Sequence, residues 1–397
     1  MAERIDANIN KETVSFICTQ IGVTSSFLVK KTGFAEDKIG AWLDVSNDAY
    51  PTLNQAKTLA KALKVPFAGL YMHKDNIPIK KLPSLLNLRR VPDALSDGSA
   101  LNLAVVELIR YHDFLSSAES DLDIVAPQLT LPSVSDTETS TTFAAHIRTF
   151  FGLELSNQFK LQSARQFYLY VRQQVESKGI FVHCFTGVDV EIARGISIFN
   201  ETAPIIGINN NDRYPAKTFS IIHELVHILK KQSTLCNEMF TSFSSQDEEV
   251  FCNAVAGEVL VPAASLNVVL TAQNITSYSL DTIETIAKKY SVSKEVIARR
   301  LYDTSRISKY EYDTYANEIR QNFENEKQAQ KLARQESRGH KIVKVPSREA
   351  VDKTSPAICK VLLIGYSDGY FSKQEVSGLL GIKEKHIPKF LTEVAKW

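Results

Sequence analysis

The chain has 397 residues, 44% hydrophobic and 23% charged, an ordinary globular balance with room for several domains. A formal net charge of +1 excludes a global field that would drive it onto nucleic acid or anionic lipid. No run approaches the roughly 18 apolar residues of a membrane span, MAERIDANINKETV has no apolar leader core, and the five cysteines form no CxxC pair, so a cytoplasmic protein without a disulfide scaffold is expected.

Residues 11–64 read as short helices. KETVSFICTQIG is one. SSFLVKKTG opens on a serine cap and stops at Gly33. KIGAWLD follows the FAED turn, and TLNQAKTLAKAL follows the break at Pro51. Helix, glycine turn, helix and a further helix is the helix-turn-helix pattern, with Phe27 and Trp42 at core positions. Residues 74–100 hold three prolines and read as a connector. A helix is expected over 100–122, a Ser/Thr-rich loop over 132–142, and helix again over 143–178.

The period then changes. GIFVHCF and GISIFNETAPIIGINN carry short β-prone runs broken by Asn, Gly and Pro. A histidine-bearing helix, FSIIHELVHILKK, follows at 219–231. Further helices are expected at about 246–261, twice within 280–304, over 308–337, and as a small unit at 348–396. The resulting fold class is α+β, mostly α, with one small β-sheet. Its expected divisions are 1–73 (helix-turn-helix), 74–142 (connector with helix), 143–275 (the unit holding the strands and the histidine-bearing helix), 276–337 (a helix-turn-helix-like region) and 338–397 (a C-terminal helical unit).

HELVH fits H-E-x-x-H, and chemistry explains the spacing. Four residues on a helix turn about 400°, so His223 and His227 lie one turn apart, about 40° round, and can face one metal ion. Glu224 is about 100° away and can take a proton from a neighbouring water. Two imidazoles need a third ligand if one position is to stay open for catalysis. The acidic stretch SSQDEEVFCNAVAGEVLVP offers Asp247, Glu248, Glu249 and Glu258. Glu248 fits a capping box with Ser245, and Asp247 suits the helix dipole. Glu258 is nine residues past Glu249, about 900°, and points the other way. Glu249 is therefore the expected third ligand, with Asn253, one turn on, as its support. Cys252 is expected to be a small buried packer. Zinc is the expected ion.

FSIIHELVHILKK followed by EEVFCNAVAGEVLVP resembles the ImmA/IrrE family of zinc metallopeptidases. RGISIFNETAPIIGINNNDRYPAKTFSIIHELVHIL is similar to that family's strands leading into the active helix. AWLDVSNDAYPTLNQAKTLAKAL is similar to the helix-turn-helix of its long members, of the XRE type, and IAKKYSVSKEVIARRLYDTSRIS to a later segment. Val226 stands where many relatives have Gly, and AGEVLVP where they have AAELLMP. The resemblance implies a zincin-like core, with His223, His227 and Glu249 as zinc ligands and Glu224 as base. It also implies cleavage of a helix-turn-helix repressor and release of mobile-element or stress genes.

Some assignments stay open. An edge strand within 195–210 is expected to pair with an extended substrate. Tyr214, Arg213 and His183 are candidates for stabilising the oxyanion, with none singled out and a structural role the first reading of each. His183 and Cys184 are adjacent in a strand and point to opposite faces, so they cannot form a dyad. Hairpins at 25–44, 280–303 and 372–393 could be helix-turn-helix units. Residues 1–70 carry eight Lys or Arg against seven Asp or Glu, and the second helix of the first hairpin starts Glu36-Asp37, which suits protein docking or a purely structural role better than DNA. The basic run 331–344 reads as a solvated helix end and linker. The alternative functions are a DNA- or repressor-binding regulator with a structural or inactive metal site, and a partner-neutralising binder.

Overall fold

The computed structural model describes residues 5–77, 98–122, 129–132, 138–231, 234–236, 247–336 and 345–395. Among the described residues, helices dominate around a single small sheet, the α+β arrangement expected. Its strands are β1 (Phe181–Phe185), β2 (Gly195–Ile198), β3 (Ile205–Asn209) and β4 (Thr234–Cys236), in the order β1-β3-β2-β4. β1 and β3 run parallel, and the other two pairings are antiparallel.

β1 and β3 are buried along their whole length because helices cover both faces of the sheet. Alternation decides which side chain meets which layer. Val182, Cys184, Ile206 and Ile208 join the core of the helices Ala164–Glu176 and Tyr214–Leu229. Phe181, Phe185, Ile196 and Ile205 join the opposite core, with the helix Ser99–Leu122 and the C-terminal helices Pro346–Lys353, Pro356–Ser367, Lys373–Leu380 and Ile387–Val394. That second layer sits very close. A Cβ on Gly207 would come within 2.5 Å of Leu108 Cδ1.

Two helical expectations are refined. The helix expected over 143–178 is three helices, Ser140–Phe150, Leu155–Lys160 and Ala164–Glu176. Gly152, at φ +62°, ends the first, and the Ser163 side chain caps the third. The helix start at Ser140 also shortens the expected 132–142 loop, of which 133–137 lie outside the described residues. Ala263–Ala272, following Pro262, is a further helix that the sequence reading did not assign.

The N-terminal helices are Lys11–Ile21, Ser25–Thr32, Glu36–Leu43 and Leu53–Ala62, close to expectation. Thr24, rather than a serine, caps the second through Phe27 N, and Gly33 at φ +73° stops it. Trp42 is 2% exposed, and Phe27 packs at the edge of the same cluster. Leu103 of the helix Ser99–Leu122 belongs to this cluster too, so the connector helix serves two cores. Most of the connector expected over 74–100, and residues 337–344 of the basic run, lie outside the described residues. Among the described residues, no single helix is long and apolar enough to cross a membrane.

Candidate metal centre

The helix Tyr214–Leu229 begins on Tyr214-Pro215, a start that suits proline because the first amides have no intrahelical acceptor. Every residue from Ala216 to Leu229 is buried. A helix apolar all round belongs in a core, and ionisable groups there are costly unless they are engaged. His223 and His227 are engaged with each other and with the next helix, Asp247–Leu260. Their Nε2 atoms lie 3.2 Å apart. Glu249 Oε2 is 3.3 Å from His223 Nε2, and Glu249 Oε1 is 3.5 Å from His227 Nε2.

These three distances, the two from Glu249 running to different carboxylate oxygens, test the donor set for a metal. A tetrahedral ion with bonds of about 2.1 Å holds its ligand atoms about 3.4 Å apart. The observed edges bracket that spacing, and the nitrogen, nitrogen and carboxylate donors suit zinc. Among the described residues, this is the one group of three or more His, Cys, Asp or Glu whose ligand atoms converge.

The electrostatics agree. Burial pushes the His223 pKa down, but the Glu249 hydrogen bond, the charges of Glu224 and Glu249, and Asn253 outweigh it and hold it above the usual histidine value. That negative surrounding attracts a cation, whether a proton or a metal ion. Cys252 Sγ lies 3.8 Å from His227 Nδ1, and burial raises its thiol pKa well above the ordinary range. It stays a neutral packer, as expected of it, and in addition touches a candidate ligand.

The other acidic residues go elsewhere. Glu248 Oε1 accepts a 2.9 Å bond from Lys230 Nζ. Its expected capping partner, Ser245, lies outside the described residues. Asp247 is exposed in the first helical turn. Glu258 points away from the histidines, pairing with Arg300 and accepting from Ala263 N at 3.1 Å. Glu224 is fully buried and faces β2, where its carboxylate lies against Gly195.

None of the three oxyanion candidates comes to the histidines. His183 is on the far face of the sheet, its ring tilted 37° against that of Tyr111 and 3.8 Å from Glu107 Oε1. Tyr214 and Arg213 stand nine and ten residues before His223, about 14 Å along the helix. Arg213 pairs with Glu326 at 2.8 Å and lies over the Phe323 ring. The expected free edge within 195–210 is also corrected. β2 pairs with β3 on one side, and β4 takes its other side at Gly195, Ile196 and Ser197. Two features escaped the sequence reading. A three-residue strand such as β4 is too short for a period, whereas Gly195 at the head of a strand was a readable sign of close approach.

Residues 176–302 match the family model described as Peptidase_M78, IrrE N-terminal-like domain. No curated protein and no solved structure matches the chain. The matched residues run from β1 through the histidine helix and the acidic helix to the pair Leu280–Tyr290 and Lys294–Asp303. They contain His223, Glu224, His227 and Glu249, and the match supports a metallopeptidase of the ImmA/IrrE type.

Proposed function

We propose that the chain is a zinc-dependent endopeptidase of the cytoplasm, with its catalytic unit in 143–275, that cuts a helix-turn-helix repressor of the XRE type. The single observation that carries the zinc reading is the convergence of His223 Nε2, His227 Nε2 and the Glu249 carboxylate, whose ligand atoms lie within 4.8 Å of one another. His223, His227 and Glu249 would hold the ion. When bound, zinc supplies a Lewis acid that polarises a carbonyl and makes water acidic enough to attack near neutral pH. Glu224 takes the proton of the attacking water and hands it to the leaving amine. Asn253 supports His223. The peptidase match supports a protein substrate, and the resemblance to the ImmA/IrrE family, whose known members cut such repressors, supports its repressor identity.

One observation bears on the N-terminal unit. The helix Glu36–Leu43 starts on Glu36-Asp37, which favours docking on protein or a purely structural role over binding DNA. A gel shift at stated salt tests the DNA alternative.

The deciding experiment combines zinc analysis with cleavage. The purified protein is mixed with the repressor encoded beside its gene, in parallel with Glu224→Gln. Cleavage by the wild type and none by the variant is expected. Equal cleavage by both removes Glu224 from the reaction, and binding without cleavage favours a regulator whose metal site is structural.

A further inference from the structure

Glu224 is completely buried, and the surface it rests on is backbone. A Cβ built on Gly195 would fall 2.8 Å from both Cγ and Cδ of Glu224, and closer still to Oε1. Real side chains do not tolerate such contacts, so either the strand, the helix or the Glu224 side chain must move.

The strand is pinned. Gly195 pairs with Ile208 of β3 on one side and Cys236 of β4 on the other. Its neighbour Arg194 accepts from Asn209 N at 2.9 Å and pairs with Asp212 at 2.6 Å. The helix is pinned as well, buried from Ala216 to Leu229. What remains is the Glu224 side chain. Its Cγ is itself in the way, so turning the carboxylate alone gives no relief, and χ1 must change.

Nor does the backbone call for glycine here. Gly195 is not among the positive-φ glycines, and glycine inside a strand usually weakens it. The space it leaves is taken up by Glu224.

We propose that Gly195 is a positioning residue for Glu224. Its missing side chain sets the rotamer of the carboxylate, and so the direction from which Glu224 accepts a proton. The proposal rests on the reading of Glu224 as the base.

The test is a cycle of Gly195→Ala, Glu224→Ala and the double variant in the full chain, with melting temperature, zinc per chain and a crystal structure of Gly195→Ala. Gly195→Ala lowers the melting temperature by about 3–8 °C in the wild type. The drop all but vanishes in the Glu224→Ala background, where the obstructing atoms are gone. Zinc per chain is unchanged, and the crystal structure has Glu224 in another χ1 rotamer over an unmoved β2. Equal drops in both backgrounds, or Glu224 in place over a displaced strand, overturn the proposal. No readout needs turnover. An active Glu224→Gln protein would therefore defeat the base reading while leaving this result separately legible.

Discussion

Glu249 and His223 belong to different helices, and the carboxylate of one lies 3.3 Å from the imidazole Nε2 of the other. That contact makes the donor set a property of helix packing and not of the H-E-x-x-H stretch alone. Glu249→Ala should leave two histidine donors and cut zinc affinity by more than about 100-fold, a larger loss than supporting residues typically cause. Competition with a chromophoric chelator measures it. Full zinc retention by the variant would remove Glu249 from the ligand set.

The legible part of this centre was the part governed by helix phase. The angle between His223 and His227, and the opposite direction of Glu258, follow from 3.6 residues per turn. The resemblance and the phase argument both indicated Glu249, and it is the carboxylate that reaches the histidines. What helix phase could not supply was tertiary. Nothing in the sequence says that β4 covers the outer side of β2, because three residues carry no period. His183 could not be placed from the sequence for a related reason: alternation gives two faces but not which layer covers each, and Glu107 lies far off in the chain.

Arg300 holds the acidic helix from behind. It pairs with Glu258, and its Nε donates to Val261 O at 3.0 Å, both near the end of that helix. Both side chains are nearly buried, at 6% and 11% exposure. Arg300→Ala should cost about 3–5 kcal/mol, because it leaves the Glu258 carboxylate buried without its cation. Urea denaturation measures the loss. Zinc affinity should fall too, although Arg300 touches no donor, since Glu249 rides on the helix it secures. A variant as stable as the wild type would show that Glu258 finds water or another partner.

Lys11 performs a local task in the N-terminal unit. It is 4% exposed, yet its Nζ donates to the carbonyls of Ala41 at 2.9 Å and Asp44 at 3.3 Å, and also to Asn47 O. These carbonyls lie at and beyond the end of the helix Glu36–Leu43, where helical acceptors have no amide of their own. Lys11→Met keeps most of the stem packing and removes the donor. It should cost about 1–3 kcal/mol, the penalty of leaving buried acceptors unsatisfied. Faster proteolysis confined to the first 77 residues would locate the loss there, while an unchanged digestion rate would contradict it.

His183 makes the stability of the fold depend on pH. Burial, the largest cause, pushes its pKa down to about 4, against partial opposition from Glu107. In the unfolded chain an ordinary histidine titrates near 6.5. Between these values the unfolded chain binds a proton that the folded chain refuses, so stability falls as pH drops from about 6.5 to about 4. The full loss is about 3 kcal/mol. Glu107 acts in a lower window. Its own burial favours the neutral acid, but His183, Lys353 and Lys64 outweigh that and hold its pKa well below 4.5. Its stabilising contribution is present above the unfolded carboxylate pKa and disappears as pH falls below about 4.5. His183→Gln cannot titrate, so it should remove the His183 share of the fall in the upper window, while Lys353 and Lys64 still hold Glu107 low. Urea midpoints of wild type and variant at about pH 7, 5.5, 4.5 and 3.5 separate the two windows. A wild-type midpoint that falls no more steeply from about pH 7 to 4.5 than that of the variant would mean that His183 is not held neutral by its burial.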